Sequence, residues 1–435
     1  MSKGSATSWI LRVGPAVVGG FLWCAVGLSQ VITQFDVGAS DGIALGPDGA
    51  MWFTDLQFSR IGRIDSNGDV SLFALPPELF PAGIAIGPDE NLWFTENGVP
   101  ARIGRITTAG VLTEFALPNP LSRPYGITSG PDGNLWFTEQ GTNQIGQITT
   151  SGVITEFPVP TTGAWLSGIA AGPDGNLWFA EFNGDKIGRM TTSGGVSEFA
   201  LPTAGSRPTA IAAGADGNLW FTQQSGHRVG RITPTGDITE FPVSGGTAGV
   251  VAGDDGNLWF SSPGVLRRVT TSGVVTEFPV PLYGPSPLGI AVAPDGALWI
   301  TDDVNGFGAQ IVRFGFETVP CVADTTTLCL GNGRFRVTAD WSTSDGTTGH
   351  GRGVALTPDS AYFWFFSAGN VEVVVKVLNA CSTGGNYWVF AAGLTNVGVK
   401  LTVTDTFSGV SRTYTNPLGT PFAPVQDTSA FATCP

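Results

Sequence analysis

The segment GPDGNLWFTE, residues 130–139, recurs with small changes seven times along the chain. Consecutive copies of its tryptophan stand 39 to 43 residues apart, at Trp52, Trp93, Trp136, Trp178, Trp220, Trp259 and Trp299. A repeat of about 40 residues, in which short apolar segments alternate with turn residues, is typical of β-propeller blades, because stacked blades bury the surface that one blade leaves exposed. We therefore predict an all-β fold with a seven-bladed β-propeller.

Each repeat predicts four antiparallel strands, and the third repeat shows them most clearly. Its strand segments are 126–129, 135–138, 144–149 and 153–157. The first two are separated by Pro131-Asp132-Gly133-Asn134 and the last two by Ser151-Gly152. Pro sets φ for a turn and Gly tolerates positive φ, so these residues favour tight connections between strands.

The seventh repeat lacks its outer strand. A segment that matches the outer strands of the other repeats, VITQFDV at residues 31–37, stands before the first repeat. We predict that this N-terminal strand completes the last blade and closes the ring. Closure would remove an open sheet edge that could pair with another chain.

The N-terminal segment predicts an exported protein. Lys3 and Arg12 precede an apolar run from Val13 to Leu28, so residues 1–29 resemble a signal peptide. An uncleaved membrane anchor is the alternative, but glycines and a proline interrupt the run, which is shorter than the roughly 20 apolar residues that a span needs. We expect a secreted or periplasmic protein with a propeller at residues 30–320 and no stable membrane insertion after signal cleavage.

The chain is strongly acidic. It carries 21 basic and 35 acidic side chains, a net charge of -14, and loss of Lys3 and Arg12 would bring the mature chain near -16. Nucleic acid and anionic membranes are negatively charged, so neither is an expected partner. The composition is compatible with a cation or with a small-molecule or peptide ligand, and we expect a monomer.

Residues 321–435 predict a second, smaller domain. Strand-like runs occur at 334–341, 362–366, 371–378, 387–390 and 399–404, separated by Gly, Ser and Asn. This pattern predicts a β-sandwich-like domain. Four cysteines lie in it, and an even number in an exported protein favours disulfides over a metal site, with three pairings open: Cys321, Cys329, Cys381 and Cys434.

Comparison of equivalent positions points to a binding surface. The residue at the start of the inner strand differs in most repeats, as Asp41, Ala82, Tyr125, Ser167, Thr209, Ala248 and Leu288. Variation on a constant scaffold is typical of a binding surface. We predict that ligand contacts come from Asp41, Tyr125, Ser167 and Thr209 at one mouth of the central channel.

A second series follows the tryptophan strand and is mostly acidic: Asp55, Glu96, Glu139, Glu181, Gln223, Ser262 and Asp302. The inner hairpin brings its two ends together, so we expect both series at the same mouth. Carboxylate oxygens suit Mg²⁺ or Ca²⁺, and a metal site would use Asp55, Glu96, Glu139, Glu181, Asp302 and Asp303. The alternative is that each acid is a locally hydrogen-bonded strand end.

Four further glutamates have a simpler interpretation. Counting from the turns predicts cross-strand ion pairs of Arg105 with Glu114, Arg189 with Glu198, Arg231 with Glu240 and Arg268 with Glu277. Such pairs contribute about 0.2–1 kcal/mol each and would be part of the scaffold.

The phrases RPYGIT at 123–128, GNLWFTE at 133–139 and IGRITT at 103–108 resemble the streptogramin lyase (virginiamycin B lyase) family. That resemblance covers residues 31–318 and implies a seven-bladed propeller that opens a cyclic peptide antibiotic at its ester bond by elimination, with a magnesium ion. The C-terminal domain resembles a β-domain of exported bacterial proteins.

The resemblance also implies two histidines, one before the inner strand of each of the last two blades, and a carboxylate after the last tryptophan strand. The matching positions hold Ala248, Leu288 and Asp303. Neither Ala nor Leu can bind a metal or accept a proton. The chain has two histidines, His227 and His350, and neither stands at motif spacing from a second histidine or a carboxylate.

Three functions therefore remain open. We favour a propeller that binds a ligand or a cation and lacks the lyase chemistry, with Mg or Ca as the only expected cofactor. The second is a metal-dependent streptogramin lyase or lactone-opening enzyme that uses the acidic rim, with Asp303 and Tyr125 as catalytic candidates. The third is an extracellular structural or adhesive protein, which predicts no ligand at the mouth.

Overall fold

The structure is a computed structural model. It describes residues 6–11, 30–37, 41–284, 287, 289–303, 309–316, 321–331, 333–380, 386–406 and 410–431, with backbone only at 6–11, 30, 303, 309 and 316. The chain divides into two compact units. The first contains residues 31–315 together with the strand at 6–11, and the second contains the described residues from 316 onward together with Gln30. None of the described segments is a helix that is long and apolar enough to cross a membrane.

The described part of the first unit contains seven antiparallel sheets, which we number as blades in chain order. Blade 1 consists of β3 (Ile43–Leu45), β4 (Met51–Asp55), β5 (Arg60–Ile64) and β6 (Val70–Ala74). Blade 2 consists of β7 (Pro81–Ile86), β8 (Leu92–Glu96), β9 (Arg102–Ile106) and β10 (Leu112–Ala116). Blade 3 consists of β11 (Pro124–Ser129), β12 (Leu135–Glu139), β13 (Gln144–Ile148) and β14 (Ile154–Pro158).

The next three blades repeat this order. Blade 4 consists of β15 (Leu166–Ala171), β16 (Leu177–Glu181), β17 (Lys186–Met190) and β18 (Val196–Ala200). Blade 5 consists of β19 (Pro208–Ala213), β20 (Leu219–Gln223), β21 (Arg228–Ile232) and β22 (Ile238–Pro242). Blade 6 consists of β23 (Val250–Ala252), β24 (Leu258–Ser262), β25 (Val265–Val269) and β26 (Val275–Pro279).

Blade 7 is completed by the start of the chain, as predicted. It contains β27 (Ile290–Val292), β28 (Leu298–Asp303), β29 (Ala309–Phe316), β2 (Gln30–Asp36) and, at its edge, β1 (Ala6–Leu11). Phe35 of β2 stacks on Trp299 at 5.4 Å between ring centroids. Each innermost strand contacts that of the next blade, and β27 contacts β3, so the sheets form a closed circle.

The repeated Asp and Trp belong to one local unit. In six blades the indole N–H of the tryptophan donates to the aspartate four residues earlier, at 2.9–3.2 Å. Each of these rings also lies against an outer-strand phenylalanine, as Trp136 does with Phe157 at 5.5 Å. A buried indole needs a partner for its N–H, which explains why Asp and Trp recur together.

The threonine of the LWFT segment joins neighbouring blades. Thr138 Oγ1 donates to the carbonyl of Ser167 in blade 4 at 2.8 Å and accepts from Gly126 N at 2.9 Å. Equivalent hydroxyls do the same in five other blades, whereas blade 4 has Ala180 at this position. A Cβ on Gly126 would lie 2.8 Å from the Ser167 carbonyl oxygen, so this close approach of strands requires glycine.

The predicted cross-strand ion pairs are wrong by one residue. Arg105 lies opposite Thr113, and Glu114 lies opposite Gly104. Because successive side chains point to opposite faces of a strand, this shift moves Arg105 away from Glu114 and over the ring of Trp93. Glu114 pairs instead with Arg102, the basic residue that begins the strand of Arg105, at 2.5 Å. The pairs predicted for Arg189 and Arg231 are corrected in the same way, since their acids form ion pairs with Lys186 and Arg228. The acid predicted for Arg268, Glu277, forms an ion pair with Arg267, which lies directly opposite it.

The second unit contains two sheets that share one apolar core. The first has β30 (Thr327–Leu330), β31 (Phe335–Ser342), β32 (Thr348–His350), β37 (Gly398–Asp405) and β38 (Ser411–Asn416). The second has β33 (Arg352–Thr357), β34 (Ser360–Trp364), β35 (Val373–Ala380), β36 (Asn386–Gly393) and β39 (Val425–Phe431). Cys321 and Cys329 form a disulfide. Cys381 and Cys434 lie outside the described residues.

Candidate functional site

The central channel contains a cavity of about 190 Å³ between the inner strands. Asp41, Tyr125, Ser167 and Thr209 line it, together with the glycines, alanines and isoleucines of the inner strands. The structure thus brings the four predicted ligand contacts into one cavity. Glycines such as Gly83 and Gly168 and apolar side chains such as Ile127 form the rest of the wall, so the four varied residues supply the polar side chains of the cavity.

Tyr125 is the largest of these side chains. It is partly exposed, it lines the cavity, and burial together with the nearby Asp41 carboxylate raises the pKa of its hydroxyl. The tyrosine therefore keeps its proton at neutral pH and acts as a hydrogen-bond donor. Ser167 and Thr209 are more than 90% buried, and Thr209 Oγ1 shares a hydrogen bond with Thr222 Oγ1 at 2.9 Å. The cavity thus offers a carboxylate, a phenol and two hydroxyls.

A rim of exposed aromatic and basic side chains precedes the cavity residues. Phe80, Arg123, Trp165 and Arg207 each stand two residues before the varied position of their blade, and all four have positive φ, between 47° and 53°. The Arg123 guanidinium lies over the Trp165 ring at 5.3 Å, and Arg207 lies over Phe182 at 5.5 Å. Left-handed backbone is costly for such residues and is often retained at binding sites.

Sequence reasoning missed this rim. The signal was available, because Phe80, Arg123, Trp165 and Arg207 vary at a fixed distance from the positions already singled out. The exposure of these side chains could not be read from the sequence, since an aromatic residue beside a strand is more often part of the core. Trp165 is 39% exposed and Phe80 is 42% exposed.

The acidic series does not join the cavity. The backbone ends do meet as predicted, with Pro124 opposite Glu139. The side chains of Asp55, Glu96, Glu139, Glu181 and Asp302 are fully buried, however, and none lines the cavity. Glu139 alternates with Thr138 and so lies on the same face as Phe137, which packs toward blade 2. The prediction that both series meet at the mouth is therefore wrong.

Each buried acid has its own surroundings within its blade. Asp55 accepts from Arg60 Nε at 2.8 Å, and Asp302 accepts from the backbone N–H groups of Tyr283 and Gly284 at 2.8 and 2.7 Å. Across the described part of the chain, no three His, Cys, Asp or Glu side chains stand close enough together to hold a metal ion. A metal shared around this series therefore has no support in the geometry.

In blades 2 to 4 the buried acid faces a second glutamate. Burial, together with the nearby Glu114, raises the pKa of Glu96 to about 8 against the opposing effect of Arg102. Burial likewise raises the pKa of Glu139 and of Glu181 to about 7, with Glu156 and Glu198 as the facing acids. In blade 5 the equivalent residue is Gln223, which donates to Glu240 Oε1 at 2.8 Å.

A closed circle of antiparallel blades around a central channel defines this unit as a β-propeller. The model of the virginiamycin B lyase family matches residues 30–309, and the chain belongs to that family.

Solved structures agree with this assignment. A structure described as a streptogramin B lyase is 32% identical, covers 66% of this chain and 98% of its own, and superposes with a TM-score of 0.60. A catalytically inactive histidine-to-alanine variant of virginiamycin B lyase from Staphylococcus aureus, with quinupristin, is 35% identical, covers 66% and 99% and has a TM-score of 0.61.

A curated relative matches over a short segment. Virginiamycin B lyase from Bordetella pertussis (strain Tohama I) is 44% identical over 54 residues, 11% of this chain and 18% of that protein. The chain thus spans about a fifth of the curated relative in this match.

Of the three positions that the family resemblance assigns to metal and base, the structure describes the side chain of Ala248 alone, and that side chain does not fit a magnesium ion. Ala248 is 3% exposed, and its methyl group offers no ligand. In Asp302, the neighbour of Asp303, both carboxylate oxygens already accept from backbone N–H groups, and Gln310 Nε2 adds a third bond at 2.8 Å. Leu288 and the side chain of Asp303 lie outside the described residues. We derive no reaction step through a metal at this place.

Proposed function

We propose that this protein is an exported, ligand-binding member of the virginiamycin B lyase family that does not carry out the lyase reaction. One observation carries the proposal: the varied residues of the repeat line a single cavity, while the position of a family histidine holds the buried Ala248. A propeller that has a lined cavity but lacks the base would recognise a ligand without catalysing the lyase reaction.

The mouth favours a small-molecule or peptide ligand with aromatic groups. The Arg123–Trp165 and Arg207–Phe182 pairs present flat, partly exposed surfaces, on which a planar group can stack. Below them, Asp41 can accept hydrogen bonds, and the Tyr125 hydroxyl can donate one. The acidic composition favours ligands that are neutral or positively charged.

Binding can be tested with a type B streptogramin, since the family includes proteins that act on this class. We expect calorimetry with the full chain to show binding that Trp165→Ala weakens at least tenfold, because a stacking surface is lost. Val274→Ala is the matched control, since Val274 is 61% exposed at an outer hairpin turn. Equal affinity of both variants would contradict binding at the mouth.

The second candidate is a lyase that works without the family histidines. The proximity of Tyr125 to Asp41 favours it, because a protonated phenol can supply a proton and a carboxylate can accept one. This candidate predicts a ring-opened product that disappears in both Tyr125→Phe and Asp41→Asn. Elimination leaves the mass unchanged, so chromatography with fragment-ion mass spectrometry is the appropriate assay.

A further inference from the structure

Blade 3 contains a buried glutamate that faces a second, partly buried glutamate, and the pair has no basic partner. Glu139 is fully buried, and Glu156 faces it from the outer strand. One oxygen of each, Glu139 Oε1 and Glu156 Oε1, is buried and accepts no hydrogen bond in the structure. The hydroxyl of Thr142 donates to the other oxygen of Glu139.

The equivalent pockets of the neighbouring blades each contain a cation. In blade 4, Lys186 Nζ lies 2.7 Å from Glu198 Oε2 and 2.8 Å from Thr161 Oγ1. In blade 2, Arg102 lies 2.5 Å from Glu114, and in blade 5, Arg228 lies 3.8 Å from Glu240.

Blade 3 has Gln144 where these blades have the basic residue. Gln144 lies opposite Glu139, just as Lys186 lies opposite Glu181. The sequence contains no Lys, Arg or His between Arg123 and Lys186. No basic side chain within blade 3 itself can therefore take over the role of Lys186.

Two carboxylates in one pocket repel each other unless a proton or a cation lies between them. The surrounding donors are oxygens, namely the two carboxylates and the hydroxyls of Thr142 and Ser122. Oxygen ligands of this kind suit a hard cation, and calcium accepts irregular sets better than magnesium does. We propose that the pocket between Glu139 and Glu156 binds a calcium ion in the position that the Lys186 ammonium occupies in blade 4.

This site lies inside a blade and is separate from the channel, so it does not depend on the proposed function. Calorimetric titration of the full, EDTA-treated chain with CaCl₂ at physiological salt tests it. We expect one site with a dissociation constant of about 10⁻⁴–10⁻³ M, the range of extracellular calcium modules. Binding should also raise the unfolding temperature, since the ion binds only the folded chain.

Two variants exchange the residues of blades 3 and 4. Gln144→Lys supplies the ammonium that blade 4 already has and should weaken calcium binding at least tenfold while the circular dichroism stays unchanged. Lys186→Gln removes the ammonium from the Glu181–Glu198 pocket and should add a second site. Glu156→Gln, which removes one carboxylate without adding charge, should also weaken binding at least tenfold.

The absence of calcium binding in the unmodified chain would overturn the proposal, because the pair would then be neutralised by a proton alone. Binding that stays the same in Gln144→Lys and Glu156→Gln would overturn it too, since calcium would then be held only by surface carboxylates. If Gln144→Lys does not fold, Glu156→Gln and Lys186→Gln decide the question.

Discussion

Replacement of Glu96 by glutamine should stabilise the propeller, and more so as the pH rises. Glu96 is fully buried, and neither of its carboxyl oxygens has a hydrogen-bond partner in the structure. It faces Glu114, whose charge is already balanced by Arg102. A glutamine there can imitate Gln223, whose amide donates to Glu240 at the same place in blade 5.

The magnitude follows from the raised pKa. Burial raises the pKa of Glu96 from 4.5 to about 8, so the folded chain prefers the protonated form. The stability that this form contributes is complete below pH 4.5 and is lost as the pH rises through 8. At 1.36 kcal/mol per pH unit, ionisation costs about 3 kcal/mol at pH 7 and at most about 5 kcal/mol above pH 8.

Urea unfolding of the full chain at pH 5, 7 and 9 measures this effect. The variant Glu96→Gln should match the unmodified protein closely at pH 5 and exceed its free energy of unfolding by several kcal/mol at pH 9. The reverse change in blade 5, Gln223→Glu, is the control and should be increasingly destabilising over the same pH range. A difference between Glu96→Gln and the unmodified chain that does not vary with pH would refute the reasoning.

Three further predictions concern the scaffold. Thr138→Val removes the hydrogen bonds to Ser167 O and Gly126 N and should lower the free energy of unfolding by about 1–3 kcal/mol in a urea titration. Ala180→Thr adds the equivalent hydrogen bonds in blade 4 and should raise the free energy of unfolding. Burial raises the pKa of Asp132, but the hydrogen bonds from Trp136 and Asn134 outweigh this effect and hold the pKa below 3.8. The ionised Asp132 therefore contributes to the free energy of unfolding above pH 3.8, and this contribution is lost on further acidification. Asp132→Ala should therefore destabilise the chain by about 1–3 kcal/mol at pH 7 and by less near pH 2. Cys329→Ser opens a short loop and should cost the second unit about 2–3 kcal/mol, measured by thermal unfolding with and without reductant.

The fold could be predicted because its determinants are local and repeated. The Asp–Trp bond, the turn glycines and the alternation of apolar residues each act within one repeat, and the closing strand at 31–37 resembles the strand that it replaces. The register of the outer hairpins was harder to predict, because it depends on how a turn is bonded. Thr107 N bonds Val111 O and Gly110 N bonds Thr107 O, which places Glu114 opposite Gly104.

The candidate site was predicted in part. Asp41, Tyr125, Ser167 and Thr209 were found because variation marks a surface, and they do line one cavity. Glu96 and Glu139 were placed at the mouth because only their backbone positions were considered. Strand alternation already puts them on the phenylalanine face, between blades, where they are buried.

The rim was not predicted because it depends on conformation. Trp165 and Arg207 have backbone in the left-handed region, which cannot be predicted from their residue types. Ala248 drew attention in the sequence only because the family resemblance implies a histidine at this position. The structure adds that Ala248 is enclosed, with its carbonyl accepting from Thr222 Oγ1 at 3.0 Å.

Incubation of the full chain with a type B streptogramin and Mg²⁺ tests the central claim most directly. If recognition persists without catalysis, fragment-ion mass spectrometry should recover only the cyclic compound, while calorimetry on the same sample shows binding that Trp165→Ala weakens. A linear product that forms with the unmodified chain and disappears in Asp303→Ala or Tyr125→Phe would contradict the claim.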